Sequence, residues 1–119
     1  MNTLEDLFPE SLSGKCIRRR ELCGIPYPEV LQAIDIATAR EIAVLGVELF
    51  QIEDSALRFV TGSGYEFPYV GPWDEFVQGN NIAARTFVMK NIREEGFVYI
   101  LTSACRQEYQ DLVAKEGRR

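Results

Sequence analysis

The side chains with the chemical reach for catalysis are few in this sequence, and their spacing does not assemble them. The chain contains no histidine. That removes Ser-His-Asp and Cys-His nucleophilic pairs, imidazole acid–base work and the usual metal centres. "SLSGK" sets Ser11 and Ser13 near Lys15, but neither serine stands three residues before the lysine, so the Ser-x-x-Lys spacing of acyl transfer is absent. Cys16, Cys23 and Cys105 are an odd number of thiols without the spacing of a disulfide framework. The interval from Cys16 to Cys23 is too wide for a CxxC redox or zinc knuckle, and a zinc site would need all three thiols and a carboxylate. They read as reduced structural cysteines.

Two carboxylate pairs, Glu53–Asp54 and Asp74–Glu75, superficially match a glycosidase. Adjacent residues on a helix point apart, however, and Asp74 and Glu75 suit the first turn of a helix, where negative charge opposes the dipole. "TGSGY" at 61–65 is glycine-rich but lacks the following lysine and the helix N-terminus that a phosphate cradle needs. "RRR" at 18–20 runs directly into Glu21, a weak footprint for phosphate or membrane. No catalytic, cofactor-binding or metal-ligating set emerges, so the expectation is a binding protein and not an enzyme.

Charge points to the class of partner. Residues 21–84 hold ten acidic groups against Arg40 and Arg58, within a chain of net charge −5. Such a segment disfavours nucleic acid and favours a basic partner. Inside it lies "YEFPYVGPWDEF", residues 65–76, which packs Tyr65, Phe67, Tyr69, Trp73 and Phe76 among Glu66, Asp74 and Glu75. Trp73 and Phe76 are expected to begin a helix's buried face. Tyr65, Glu66, Tyr69 and Asp74 would form an aromatic and acidic rim, since tyrosine rings give large contact area at low conformational cost. Glu53, Asp54 and Glu75 complete the candidate partner-binding set.

The elements that must carry these residues follow from periodicity. At 119 residues the chain fits one domain (1–119), with 1–24 as an irregular N-terminal segment. "NTLEDLF" reads as one or two amphipathic turns stopped by Pro9, and "SGKCIRRRELCG" as a short strand or a loop ending at Gly24. Val30, Leu31, Ile34 and Ala37 or Thr38 recur at helical spacing, predicting a helix over about 28–40 with Pro28 at its first position. "IAVLGVELFQI", 42–52, is apolar on both faces: a strand covered on both sides, or one whose register changes at a Gly46 bulge. Glu48 is the exception in it, either turned to solvent by that bulge or hydrogen-bonded. It is a secondary site candidate.

"EDS" turns into a partner strand at 56–60, and a long Gly/Ser/Pro loop follows. A helix resumes after Pro72, with Trp73, Phe76, Ala83, Phe87 and Val88 on one face and Ile92 near its end. Gly79 inside it costs about 1 kcal/mol relative to alanine and marks a kink or a close packing point. A third strand at 96–104 and a short terminal helix with Tyr109, Leu112 and Val113 inward complete the order α, β, β, α, β, α. The fold class is α+β: a small antiparallel sheet, made of a hairpin plus a third strand, packed with two main helices and a short C-terminal helix.

The stretch "EVLQAIDIATAREIAVLGVELFQIEDSALRF", with an aromatic loop and "WDEFVQGNNIAARTFVMKNI" after it, resembles the immunity protein 40 family of bacterial polymorphic toxin systems. The features carrying the resemblance are Ala33–Ile34 in an amphipathic helix, the strand from Ile42 through Phe50, and the helix opening from Trp73 through Phe76. It covers roughly residues 29–92, and the "GSGYEFPYVG" loop is longer and less polar than the family pattern. The resemblance implies an inhibitor that binds a cognate toxin protein, one with a basic cleft where the toxin acts on nucleic acid, and blocks it. Acidic residues would steer the encounter and aromatics would anchor it. The alternative is a non-catalytic assembly subunit that self-associates through the aromatic loop, so monomer and homodimer both stay open. "MNTLEDLFPE" lacks the basic start and apolar core of a secretory signal, and no apolar run is long enough to span a bilayer. A cytoplasmic protein, with neither nucleic acid nor membrane as partner, is the expectation.

Overall fold

The β-branched, doubly apolar run becomes the central strand, β3 (Ala43–Glu53), of a computed structural model that describes residues 4–63 and 71–116. On one side β3 pairs antiparallel with β4 (Ala56–Ser63), on the other with β5 (Phe97–Ala104), giving the order β4–β3–β5. The expected hairpin is present, and its second strand runs three residues further than the alternation alone suggested. A second, two-stranded sheet forms where only a strand or loop was expected. β1 (Ile17–Arg19) and β2 (Leu22–Gly24) make a small hairpin turned at Arg20, whose φ is 56°. Its continuation docks on the main sheet: Ile25 and Tyr99 exchange two backbone hydrogen bonds of 2.8 Å.

Among the described residues four α-helices accompany the sheets: α1 (Glu10–Ser13), α2 (Glu29–Ala39), α3 (Trp73–Lys90) and α4 (Arg106–Glu116). The fold is thus α+β with a small antiparallel sheet, as the element order predicts. Pro9 both ends the 3-10 turn Glu5–Leu7 and caps α1, because its fixed φ fits the residue before a helix. Pro28 likewise sits one position outside α2, as its N-cap.

α3 packs along β3, and α2 packs against α3. The main core gathers Val30, Ala33 and Ile34 of α2, Val44, Val47 and Leu49 of β3, Ala84 and Val88 of α3, and Tyr99 and Leu101 of β5. Leu4 and Leu12 of the N-terminal segment are fully buried in it, so that segment is part of the fold and not a tail. A smaller cluster of Ala43, Leu45, Phe76, Val77, Ala104 and Tyr109 joins the start of α3 to α4.

The buried stripe of α3 is Phe76, Val77, Asn81, Ala84 and Val88. Ala83, expected from periodicity in that face, is exposed, and Ile92, expected near its end, lies beyond the helix and is exposed too. The cause is Asn81. A polar residue at the centre of the stripe hides its phase from any reading based on apolar spacing. Asn81 is buried and satisfied: Oδ1 accepts from the Val44 N–H (2.7 Å), and Nδ2 donates to the Ile42 carbonyl (3.0 Å) and to Thr38 Oγ1 (2.9 Å). One side chain thereby ties α3 to the end of α2 and the start of β3. Gly79 is not a close packing point, since a Cβ there would meet nothing within 4 Å.

Candidate interaction face

The position of Glu48 is decided by a bulge. The β3–β5 register shifts between Val44 and Gly46, so Val44, Val47 and Leu49 all reach the main core. Glu48, which pairs with Gly62 on β4 and Ile100 on β5, turns to the opposite side of the sheet. The solvent-facing alternative for this carboxylate is the one realised: it is half-exposed, on the side that α2 and α3 leave open.

That open side has a defined surface. Leu45, Gly46, Glu48, Phe59, Gly62, Ser63 and Thr102 enclose a shallow depression of about 340 Å³. Phe59 stands 53% exposed at its border and meets Phe50 edge-on, with ring centroids 5.7 Å apart. A second bulge, between Leu49 and Phe50 on β3, leaves Val60 of β4 without a partner and partly exposed. Gly62 keeps the floor flat: a Cβ there would lie 3.1 Å from the Val47 carbonyl oxygen and 3.3 Å from Cγ of Glu48. β4 is also the outer strand of the sheet, so alternate backbone groups along it face outward.

Thr102 joins this depression to a second one, of about 370 Å³, along the outer edge of β5. Its walls combine apolar Leu22, Ile25 and Ile100 with three carboxylates, Glu5, Glu21 and Glu108. Glu5 is held by Arg18 at 3.3 Å, and Glu108 accepts the Cys105 N–H at 2.9 Å, bracing the first turn of α4. Near Glu5 lie Cys16 and Cys23, which the hairpin brings close enough to influence each other's titration despite their separation in sequence, while the Cys16 thiol donates to the Leu12 carbonyl at 3.4 Å. Burial pushes both thiols up, Cys23 to about 12, with the neighbouring thiol and Glu5 adding to the rise for Cys23. Such thiols stay protonated at neutral pH and are poor nucleophiles or metal ligands.

The candidate residues drawn from sequence do not form one patch. Glu53 and Asp54 sit at the tip of the β3–β4 hairpin, where Glu53 pairs with Arg58 at 3.2 Å. Asp74 and Glu75 open α3 at the other end of β3, and Asp74 lines a depression that also contains Arg40 and Arg106. About ten residues of strand, roughly 33 Å at about 3.3 Å per residue, separate the two pairs. Tyr65, Glu66 and Tyr69 lie outside the described residues, as does Phe67. Phe76 is buried as expected. Trp73 is only half-buried: it stacks on Phe76 and Tyr109 at 5.3 and 5.5 Å, while its indole N–H donates to the Glu41 carbonyl at 2.7 Å.

The sequence reading passed over Phe59, which had a signal in the alternation of "ALRFV". Glu5, Glu21 and Glu108 had none, because three separate elements bring them together. Among the described residues no group of three or more His, Cys, Asp or Glu side chains is placed to hold a metal ion, and no helix is long and apolar enough to cross a membrane. Comparison with protein-family models, with curated proteins and with solved structures finds no match to this chain.

Proposed function

We propose that this chain is an immunity protein, which binds a cognate bacterial toxin domain in the cytoplasm and neutralises it without catalysis. The resemblance across residues 29–92 motivates the class. The observation that best supports a binding role is the open side of the sheet, where exposed Phe59 stands beside Glu48 over a floor of glycine backbone. An aromatic anchor next to a carboxylate is a pairing that protein interfaces favour, and it suits a basic partner surface.

The test is growth rescue: this protein is co-expressed with the toxin domain encoded beside its gene. Rescue is expected, and Phe59→Ser combined with Glu48→Lys is expected to abolish it while the protein remains soluble and folded. Unrelieved toxicity in the presence of soluble wild-type protein rejects that toxin as the partner. Rescue undiminished in the double variant moves the interface off the open side.

The outward edge of β4 beside exposed Phe59 and Val60 favours one second reading, self-association through this strand into a continuous sheet. Light scattering across a dilution series separates the two: a dimer that persists on dilution supports the assembly subunit, and a monomer leaves the face available to a toxin.

A further inference from the structure

The depression along β5 differs from the rest of the surface in carrying three complementary features together. Among the described residues its walls include three carboxylates, Glu5, Glu21 and Glu108, and no lysine or arginine. Arg18 pairs with Glu5 at 3.3 Å and offsets that one charge. Its apolar walls, among them Leu22 and Ile100, suit the methylene stem of a long side chain. The third feature is backbone. Tyr99 sends its N–H and C=O outward to Ile25, and Leu101, two residues on, has the same parity in the antiparallel ladder. Its polar groups therefore face the outer edge of β5, where among the described residues no strand pairing extends past the Ile25–Tyr99 bridge.

We propose that this cavity receives a lysine or arginine side chain carried on an extended segment of a protein partner. The segment lies along the outer edge of β5, presents its backbone to Leu101, and lays its stem across Leu22 and Ile100. The cationic head then reaches Glu21 and Glu108. Leu22 is 45% exposed in the free protein, a large apolar side chain that such a stem would cover. Glu21 makes this a selective cavity, because its exposed carboxylate has no ion pair among the described residues and gains most from an incoming cation.

The proposal rests on reading the chain as a protein-binding module, not on the partner being a toxin. A capped valine–arginine–valine peptide and its norleucine counterpart are titrated into isotopically labelled protein and followed by amide chemical shifts. The arginine peptide is expected to move the Leu101 and Thr102 amides saturably and to bind about tenfold more tightly than the norleucine peptide, with the gap closing at high salt. Glu21→Gln should remove most of the gap, and Thr102→Trp, at an exposed rim position, should block both peptides. Equal binding of the two peptides, or shifts that spare Leu101 and Thr102, overturns it. Arginine selectivity in a protein that fails to rescue growth sustains the cavity and rejects the tested toxin. Rescue without arginine selectivity does the reverse.

Discussion

The two sides of the β4–β3–β5 sheet follow opposite rules. The side under α2 and α3 is closed by Val47, Leu49, Ala84, Val88 and Tyr99, and the buried amide of Asn81 on that side is bonded through both of its polar atoms. The other side keeps Gly46, Gly62, Glu48 and an exposed Phe59 in the same strands. Successive residues of one strand thus serve different ends, as a period of two allows. Stability is concentrated on the helix side, which leaves the open side free to carry side chains that contribute little to folding.

Adjacent residues give the sharpest test of that contrast. Leu49 is fully buried, and Leu49→Ala is expected to cost about 3 kcal/mol in urea denaturation, whereas Glu48→Ala next to it should change stability by about 0.5 kcal/mol or less. Comparable losses at the two positions would break the division. Asn81→Ala comes next, at about 2–3 kcal/mol, because the Val44 N–H and the Ile42 carbonyl lose their partner. A loss below 0.5 kcal/mol, roughly that of a surface change, would mean the clamp is dispensable.

The cysteine pair makes a smaller, pH-dependent contribution. Cys23 is held near 12 in the folded protein, above a thiol's ordinary value of 9.0. Below about pH 9 the thiol is protonated in both states and its contribution is complete. Between there and about pH 12 the unfolded chain releases the proton and the folded one keeps it, so stability falls as pH rises. Cys23→Ala is expected to flatten the decline seen in melting temperature between about pH 8 and about pH 10.5; an unchanged slope would show that the thiol is not the cause. The smallest effect is a gain. Gly79→Ala, in open space on α3, should add about 0.5–1 kcal/mol through helix propensity alone, and a loss there would reveal a contact on a surface that is otherwise free.

Much of the fold was legible from residue order. β3, its Gly46 bulge, the hairpin and α2 each carry a local pattern, whether β-branching, a glycine in a strand or apolar residues at helical spacing. What failed was phase and assembly. The α3 face was misread because Asn81 interrupts an apolar stripe, and its three hydrogen bonds depend on Val44, Ile42 and Thr38, which no window around residue 81 contains. The acidic segment was read as a single character, yet its members are dispersed to the hairpin tip, the start of α3 and the open side. The carboxylate cavity lies partly outside that segment, since Glu5 and Glu108 belong to stretches with a basic balance. Local composition could not reveal it.

The central place of β3 also constrains the order in which the molecule is built. Its pairing with β4 closes a two-residue turn, while its pairing with β5 must first gather roughly forty intervening residues, an entropic difference of roughly 3 kcal/mol for a flexible chain. The hairpin can therefore form early and β5 arrives late, with α3 as the bridge that shortens the gap once Asn81 engages the start of β3. In chevron kinetics, substitutions at Ile52 and Leu57 should slow refolding, and Tyr99→Phe, which removes the hydroxyl bonded to the Asn91 carbonyl, should chiefly speed unfolding. The reverse pattern would place β5 in the nucleus. Until β5 docks, both edges of the hairpin stand open, and that interval is when the chain is most exposed to strand exchange with a neighbour.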